Sequence, residues 1–415
     1  MRPSWVIAIL LAPVAGALDF ETPPAEPVSA GLPPELAAGP DFHVVDPVES
    51  DGLMRHYSID SRFGSFAAYG AEELKIRVKE IAALTQISKK TDIGVAAKAV
   101  EQHVEGDIKT VARVVTDPVG IVSGIPKGIS HLFGGAKAQA GEITDSVKKS
   151  GGTSNAKEVL HTAKADAAKY ADRYLGVSAA ERRYFQELGV DPYTNNPVLR
   201  RAVRHLAKVQ ATVNLGMHFV GVPGLPYLSD VRRAMDAIYN EDPAVLRARQ
   251  RKVLAGYGLS AAEIARYENT LLLSPTRQSL LAEDAKILEG VEGRDELFRH
   301  AMSLTTDEEV LVFLESTRLL VRTHAREPIE RILPGLRLPT AQTRDGRIAA
   351  FGSFDAVYWT EEVAGYESAL RAALPPASKE KELWLSGAVS ASARAELTTR
   401  GWVVHDHAWD GVPTT

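Results

Sequence analysis

The chain contains no cysteine in 415 residues. That absence excludes disulfides, thiolate metal centres, a cysteine nucleophile and lipid attachment to an N-terminal cysteine. An excess of one charge is lacking too: 48 basic residues stand against 53 acidic ones, a net of −5. With no basic stripe and no acidic block, nucleic acid is not an expected partner. Neither the apolar run from Trp5 to Ala15 nor the apolar stretch after residue 120 reaches the roughly 20 residues of a spanning helix. No transmembrane span is therefore expected once the N-terminal segment is removed.

Catalytic motifs are also missing. A phosphate-binding loop needs glycine, lysine and then serine or threonine, but Lys127 precedes Gly128 and Ile129 follows it. Gly128-Ile129-Ser130-His131-Leu132 lacks the final glycine of a nucleophile elbow. Ser146-Val147-Lys148-Lys149 fits a Ser-x-x-Lys pattern without its companion motifs, and His-Glu-x-x-His does not occur. Acidic pairs such as Glu361-Glu362 open predicted helices, where they favour the helix dipole.

What is present begins with an export signal. Arg2 is followed by the apolar run and by Ala15-Gly16-Ala17, a small-x-small cleavage pattern. Residues 1–17 are expected to be a signal peptide, and the mature chain, starting at Leu18, to be periplasmic or secreted in a bacterial envelope. Residues 18–41 carry six prolines (Pro23, Pro24, Pro27, Pro33, Pro34, Pro40) and are expected to be a disordered leader. Residues 1–175 hold 13 lysines and 6 arginines, whereas 176–415 hold 5 and 24. That shift suggests two surfaces of different character, joined between residues 150 and 176.

The periodicity predicts an α+β chain that is mostly helical. An N-terminal α+β region (42–150) starts with short strands from Met54, with Gly64 and Gly70 at turns. Leu74, Ile76 and Val78 alternate with Lys75, Arg77 and Lys79, the period of a half-wet strand. Residues 92–116 read as an amphipathic helix. Residues 151–343 read as a helical region. "GVSAAE" and "GLSAAE" each supply a capping box, through Ser178 with Glu181 and Ser260 with Glu263. Asn196-Pro197 and Ser274-Pro275 mark further starts. Residues 344–415 alternate strand, helix, strand, helix, strand, a small α/β unit of βαβαβ type.

Three features are candidates for function. In "DPVGIVSGIPKGISHLFGG" the glycines recur every fourth residue. On a helix at about 100° per residue, Ile121, Val122, Ile125, Ile129, Leu132 and Phe133 share a sector of roughly 120°, flanked by Gly120, Gly124 and Gly128. Interior glycines cost about 1 kcal/mol each relative to alanine, so the edge is expected to lie against something. The choices are the protein's own helices, or an envelope protein or membrane surface, which would make Gly120, Gly124, Ile125, Gly128, Ile129 and Phe133 interaction residues. The segment "LGMHFVGVPGLPYL" (215–228) has a similar character. Second, in "VHDHAWD" a strand would project His405 and His407 from one face. These are candidate ligands for zinc or copper, with His324, His300 or a carboxylate as a distant third; no other cofactor is expected. Third, "DPYTNNP" (191–197) presents polar groups suited to a ligand, although its ordinary role is a helix-to-helix turn. The expectation is a non-enzymatic envelope protein for binding or scaffolding. The alternative is a periplasmic hydrolase or metal-dependent enzyme using the His-x-His pair.

Overall fold

The computed structural model describes residues 20–90, 132, 165–213, 232–375 and 380–409. Its architecture is α+β and mostly helical, with N-terminal strands, a helical middle and a C-terminal sheet. Among the described residues no helix is long and apolar enough to cross a membrane.

The proline-rich stretch expected to be disordered is ordered from residue 20. It forms α1 (Val28–Gly31), α2 (Pro34–Ala37) and β1 (Ala38–Gly39). Pro27 and Pro33 stand at the helix caps, and Pro34 takes the first helical position of α2, where a missing N–H costs nothing. The acids between the prolines then find distant partners. Glu26 pairs with Arg55 at 2.9 Å and accepts from the Tyr358 hydroxyl at 3.2 Å. The Glu21 carboxylate takes the Trp359 N–H and the Ser390 hydroxyl, at 2.5 and 2.6 Å. Composition alone conceals such partners, which is why this segment reads as unstructured.

β2 (Phe42–Val44), β3 (Glu49–Ser50), β4 (Arg55–Ser61) and β5 (Gly64–Tyr69) complete an antiparallel sheet with β1. The β4–β5 hairpin turns where Gly64 adopts φ +110°. The alternation at residues 74–79, expected to be a strand, lies instead in α3 (Ala71–Lys90). Leu74, Val78, Ile81, Leu84 and Ile87 are all buried and recur every three or four residues. Over 20 residues that helical period overrides six residues of alternation.

The helical middle follows its caps. A helical stretch (165–170) and a wide turn at Ala171–Leu175 lead into α4 (Ala179–Leu188), α5 (Pro197–Val213), α6 (Arg232–Asn240), α7 (Pro243–Gly256) and α8 (Ala261–Asn269). After them come α9 (Pro275–Ile287), α10 (Asp295–Ala301) and α11 (Asp307–His324). Both capping boxes form as expected, while α10, with no side-chain cap, escaped the sequence reading. α11 is buried along nearly its whole length, polar residues included. Its Ser316 hydroxyl accepts the Ser353 N–H at 2.8 Å, tying it to the C-terminal sheet.

That sheet has the order β12-β10-β8-β7-β6. β8 (Ile348–Gly352), β10 (Lys381–Leu385) and β12 (Trp402–His405) are parallel, with α12 (Glu361–Ala373) and α13 (Ala391–Thr399) between them, as the βαβαβ pattern predicts. β6 (Ile329–Ile332) and β7 (Thr340–Thr343) extend the sheet antiparallel. β9 (Ala356–Val357) and β11 (Ala388–Val389) form a separate parallel pair. One large apolar cluster runs from Leu53, Met54 and Tyr69 through α7–α11 into this sheet; a second joins the N-terminal sheet and α3 to α4 and α5. Leu132 is buried in the first cluster.

Asp355, just past β8, links these regions: its carboxylate accepts the Arg55 N–H at 2.9 Å and the Ala71 N–H at 3.0 Å. The Asp355 and Ala356 N–H groups both donate to the Leu53 carbonyl. Asp355→Ala is expected to cost about 1–3 kcal/mol in chemical denaturation, because two half-buried donors lose their acceptor. A loss below about 0.5 kcal/mol would contradict this linking role.

Candidate functional site

α3 carries Glu73, Arg77 and Glu80 on one face, since residues three and four apart are neighbours on a helix. Arg77 donates to Glu73 at 2.8 Å and to Glu80 at 2.9 Å. Glu80 is 1% exposed and would be costly to bury unpaired. Its other bonds come from the 191–197 turn: Asn196 Nδ2 at 3.0 Å and the Thr194 hydroxyl. Arg77 also donates to Asn195 Oδ1 at 2.9 Å.

The turn is shaped by its own side chains. Asp191 Oδ1 accepts the Tyr193 N–H at 2.9 Å, and Asn196 Oδ1 caps α5 by accepting from Val198 and Leu199. At the start of α9 the Thr276 hydroxyl donates to Asp191 Oδ1 at 2.5 Å. Arg277 donates to the Leu272 carbonyl at 2.7 Å and to Asp307, at the start of α11, at 2.5 Å. Two helix starts, one helix face and one turn thus converge.

Between them lies a cavity of about 90 Å³, lined by these groups and by Tyr174, Tyr193, Leu280, Leu311, Leu314 and Glu315. At roughly 30 Å³ per water that is room for about three waters, or a molecule of a few heavy atoms. Tyr193 is 3% exposed, and its hydroxyl has no hydrogen-bond partner.

The low-dielectric setting disturbs the acids. Burial pushes Glu73 and Asp191 upward against the opposing pull of Arg77 on the first and Thr276 on the second. It raises Glu315 to about 7 although Arg318 lies 3.1 Å away, and Asp284 behind it to about 6. For Asp307 burial is outweighed by the charge and hydrogen bond of Arg277, and its carboxyl sits below the usual range.

The other candidates fall elsewhere. The strand expected to aim both imidazoles from one face ends at His405. His407 lies beyond it at φ +48°, its N–H donating to the Gly387 carbonyl. His405 stacks on Trp384, ring centroids 4.1 Å apart, with Nε2 3.9 Å from Glu382. His300 is buried in α10 and held near 4, chiefly by desolvation. His324 Nδ1 accepts the Ile329 N–H at 3.0 Å. Among the described residues no three His, Asp or Glu side chains are grouped to hold a metal ion. Gly120, Gly124, Ile125, Gly128, Ile129 and Phe133, and the 215–228 segment, lie outside the described residues.

Open α/β sheets bind ligands beyond the carboxyl ends of their strands. Here that edge is filled by the chain itself. Gly52 and Leu53 carbonyls accept from Tyr358, Asp355 and Ala356, and Glu21 occupies the start of α13. At Gly387 a Cβ would stand 2.1 Å from the Asp355 carbonyl oxygen, so the backbones are in direct contact. The sequence reading did single out the 191–197 turn, but it missed Glu73, Arg77 and Glu80 by assigning their segment to a strand. Nothing in the sequence brings Arg277 and Asp307 to the same place. No family model, curated protein or solved structure matches the chain.

Glu315 yields a pH dependence. Its folded pKa of about 7 lies above the ordinary 4.5, so the folded protein keeps a proton that the unfolded chain releases. This group makes stability fall as pH rises between those values; below 4.5 it has no effect, and above 7 its penalty is complete. Glu315→Gln removes that penalty. The variant's melting temperature minus that of the unaltered protein is expected to rise across the window and then level off. A constant difference would contradict burial as the cause.

Proposed function

We propose that the protein is an exported, non-enzymatic binding protein that holds a small polar molecule in the cavity between α3, the 191–197 turn, α9 and α11. The observation that carries this reading is a partly open cavity whose mainly apolar wall carries several charged groups, Asp191 among them with one carboxylate oxygen unbonded. Buried polar groups are normally hydrogen-bonded, and a ligand would supply a partner for that oxygen. The surrounding side chains are braced by one another, the kind of preorganisation that favours binding. Among the described residues that line it there is no histidine, and the Thr194 and Thr276 hydroxyls donate to the carboxylates of Glu80 and Asp191, which is not the hydroxyl–histidine pairing of nucleophilic catalysis. The charged start, apolar run and Ala15-Gly16-Ala17 site support export.

A thermal-shift screen of small polar metabolites tests the binding reading. At least one compound is expected to raise the melting temperature by several degrees, as binding to the folded state alone requires. Leu311→Trp, which fills the cavity, is expected to abolish the shift while leaving the circular dichroism unchanged. A shift that survives this substitution places the ligand elsewhere and overturns the reading, as does a screen with no shift at all. For export, N-terminal sequencing of the protein from a periplasmic fraction is expected to read from Leu18; an intact Met1 would contradict it.

A further inference from the structure

The cavity wall has an uneven charge balance. Glu73, Glu80, Asp191, Asp307 and Glu315 line it, against Arg77, Lys79 and Arg277. The basic groups are already engaged. Arg77 spends its guanidinium on Glu73, Glu80, Asn195 and the Ala67 carbonyl, and Arg277 bonds Leu272 and Asp307. Four of the acids have an arginine partner: Arg77 for Glu73 and Glu80, Arg277 for Asp307, and Arg318 for Glu315.

Asp191 differs. Its bonds come from the Thr276 hydroxyl and the Tyr193 N–H, both to Oδ1. Among the described residues no basic side chain forms an ion pair with it, although the charge of Arg277 acts on it from a distance, and Oδ2 has no hydrogen-bond partner. The second oxygens of Asp307 and Glu315 are unbonded too, Asp307 on a side chain that is 32% exposed and Glu315 buried. A half-buried carboxylate without an ion pair is costly. Three such acceptors thus border a space whose wall also carries Ile76, Leu280, Leu311 and Leu314.

We infer that the cavity's ligand is a small organic cation, an alkylammonium or alkylguanidinium of a few heavy atoms. Asp191 is its counter-ion, with Asp307 and Glu315 completing its hydrogen bonds. This rests on the binding reading above and deepens it. An anion would meet open carboxylate oxygens, and a neutral molecule would leave Asp191 without an ion-pair partner. A bare metal ion needs its ligands gathered around one point, and no three acids are so grouped among the described residues. A polyatomic cation reaches separated acceptors with separate N–H groups and lays its alkyl part on the leucines.

Isothermal titration calorimetry on the full chain tests this with probes of similar size: butylammonium, methylguanidinium, butyramide and butyrate. At least one cation is expected to bind at least tenfold more tightly than butyramide, with no measurable heat from butyrate. Asp191→Asn is expected to weaken the cation at least tenfold. Leu311→Trp, which fills the cavity, is expected to abolish cation binding and keeps the test decisive if the first variant fails to fold. Butyramide or butyrate binding as tightly as the cations would overturn the charge assignment while leaving the cavity reading intact. A cation whose affinity is unchanged in both variants would overturn the site. Silence from both cations would overturn the inference; the metabolite screen, read separately, decides whether the cavity reading falls with it.

Discussion

The Asp355 carboxylate is the interaction on which the rest of the architecture depends. It stands where β8 leaves the C-terminal sheet, and its two oxygens receive the first N–H of β4 and the first N–H of α3. Burial raises its pKa while those N–H bonds oppose the rise. A charge so enclosed is tolerated only where donors are already aimed at it. The consequence is directional. With the start of α3 held against the C-terminal sheet, the face bearing Glu73, Arg77 and Glu80 is delivered to the helical middle, where the 191–197 turn completes it.

That arrangement also explains why the cavity lies among helices rather than at the sheet. The carboxyl edge of a parallel sheet offers free backbone groups and a crevice, and here residues 20–21 and 51–54 occupy it with main-chain bonds. The N-terminal segment therefore acts as part of the C-terminal unit's interior, despite being more than 300 residues away in sequence. The cavity between α3, α9 and α11, by contrast, is walled by side chains that bond one another at its margins and leave acceptors facing inward. Its polar character follows from α11, which is buried yet carries Asp307 and Glu315 on the turns that face α3 and α9.

Local chemistry was legible in the sequence where its physics is local. Ser178, Ser260 and Ser274 start helices in the structure because each side chain reaches an N–H three residues on, a bond that needs no distant partner. The βαβαβ alternation was legible for the same reason. Failures came where a short window competes with a long one, or where the deciding partner is remote. Six alternating residues hid a 20-residue helix in α3. The proline-rich segment hid Glu21 and Glu26, whose partners Trp359, Ser390 and Tyr358 are beyond any local pattern. His405 and His407 looked paired only on the assumption that the strand continued; the chain turns at His407.

The sequence by itself determined the fold class, several helix starts and the exclusion of thiol chemistry, because propensity, capping and composition act over a few residues at a time. Only the tertiary structure decided where a ligand could sit. The cavity is made by Arg77, Asp191, Arg277 and Asp307, up to 230 residues apart in sequence. Their meaning lies in mutual distance: an aspartate on a surface turn is a solvated charge, whereas Asp191 lines a cavity between α3, α9 and α11 with one oxygen unbonded.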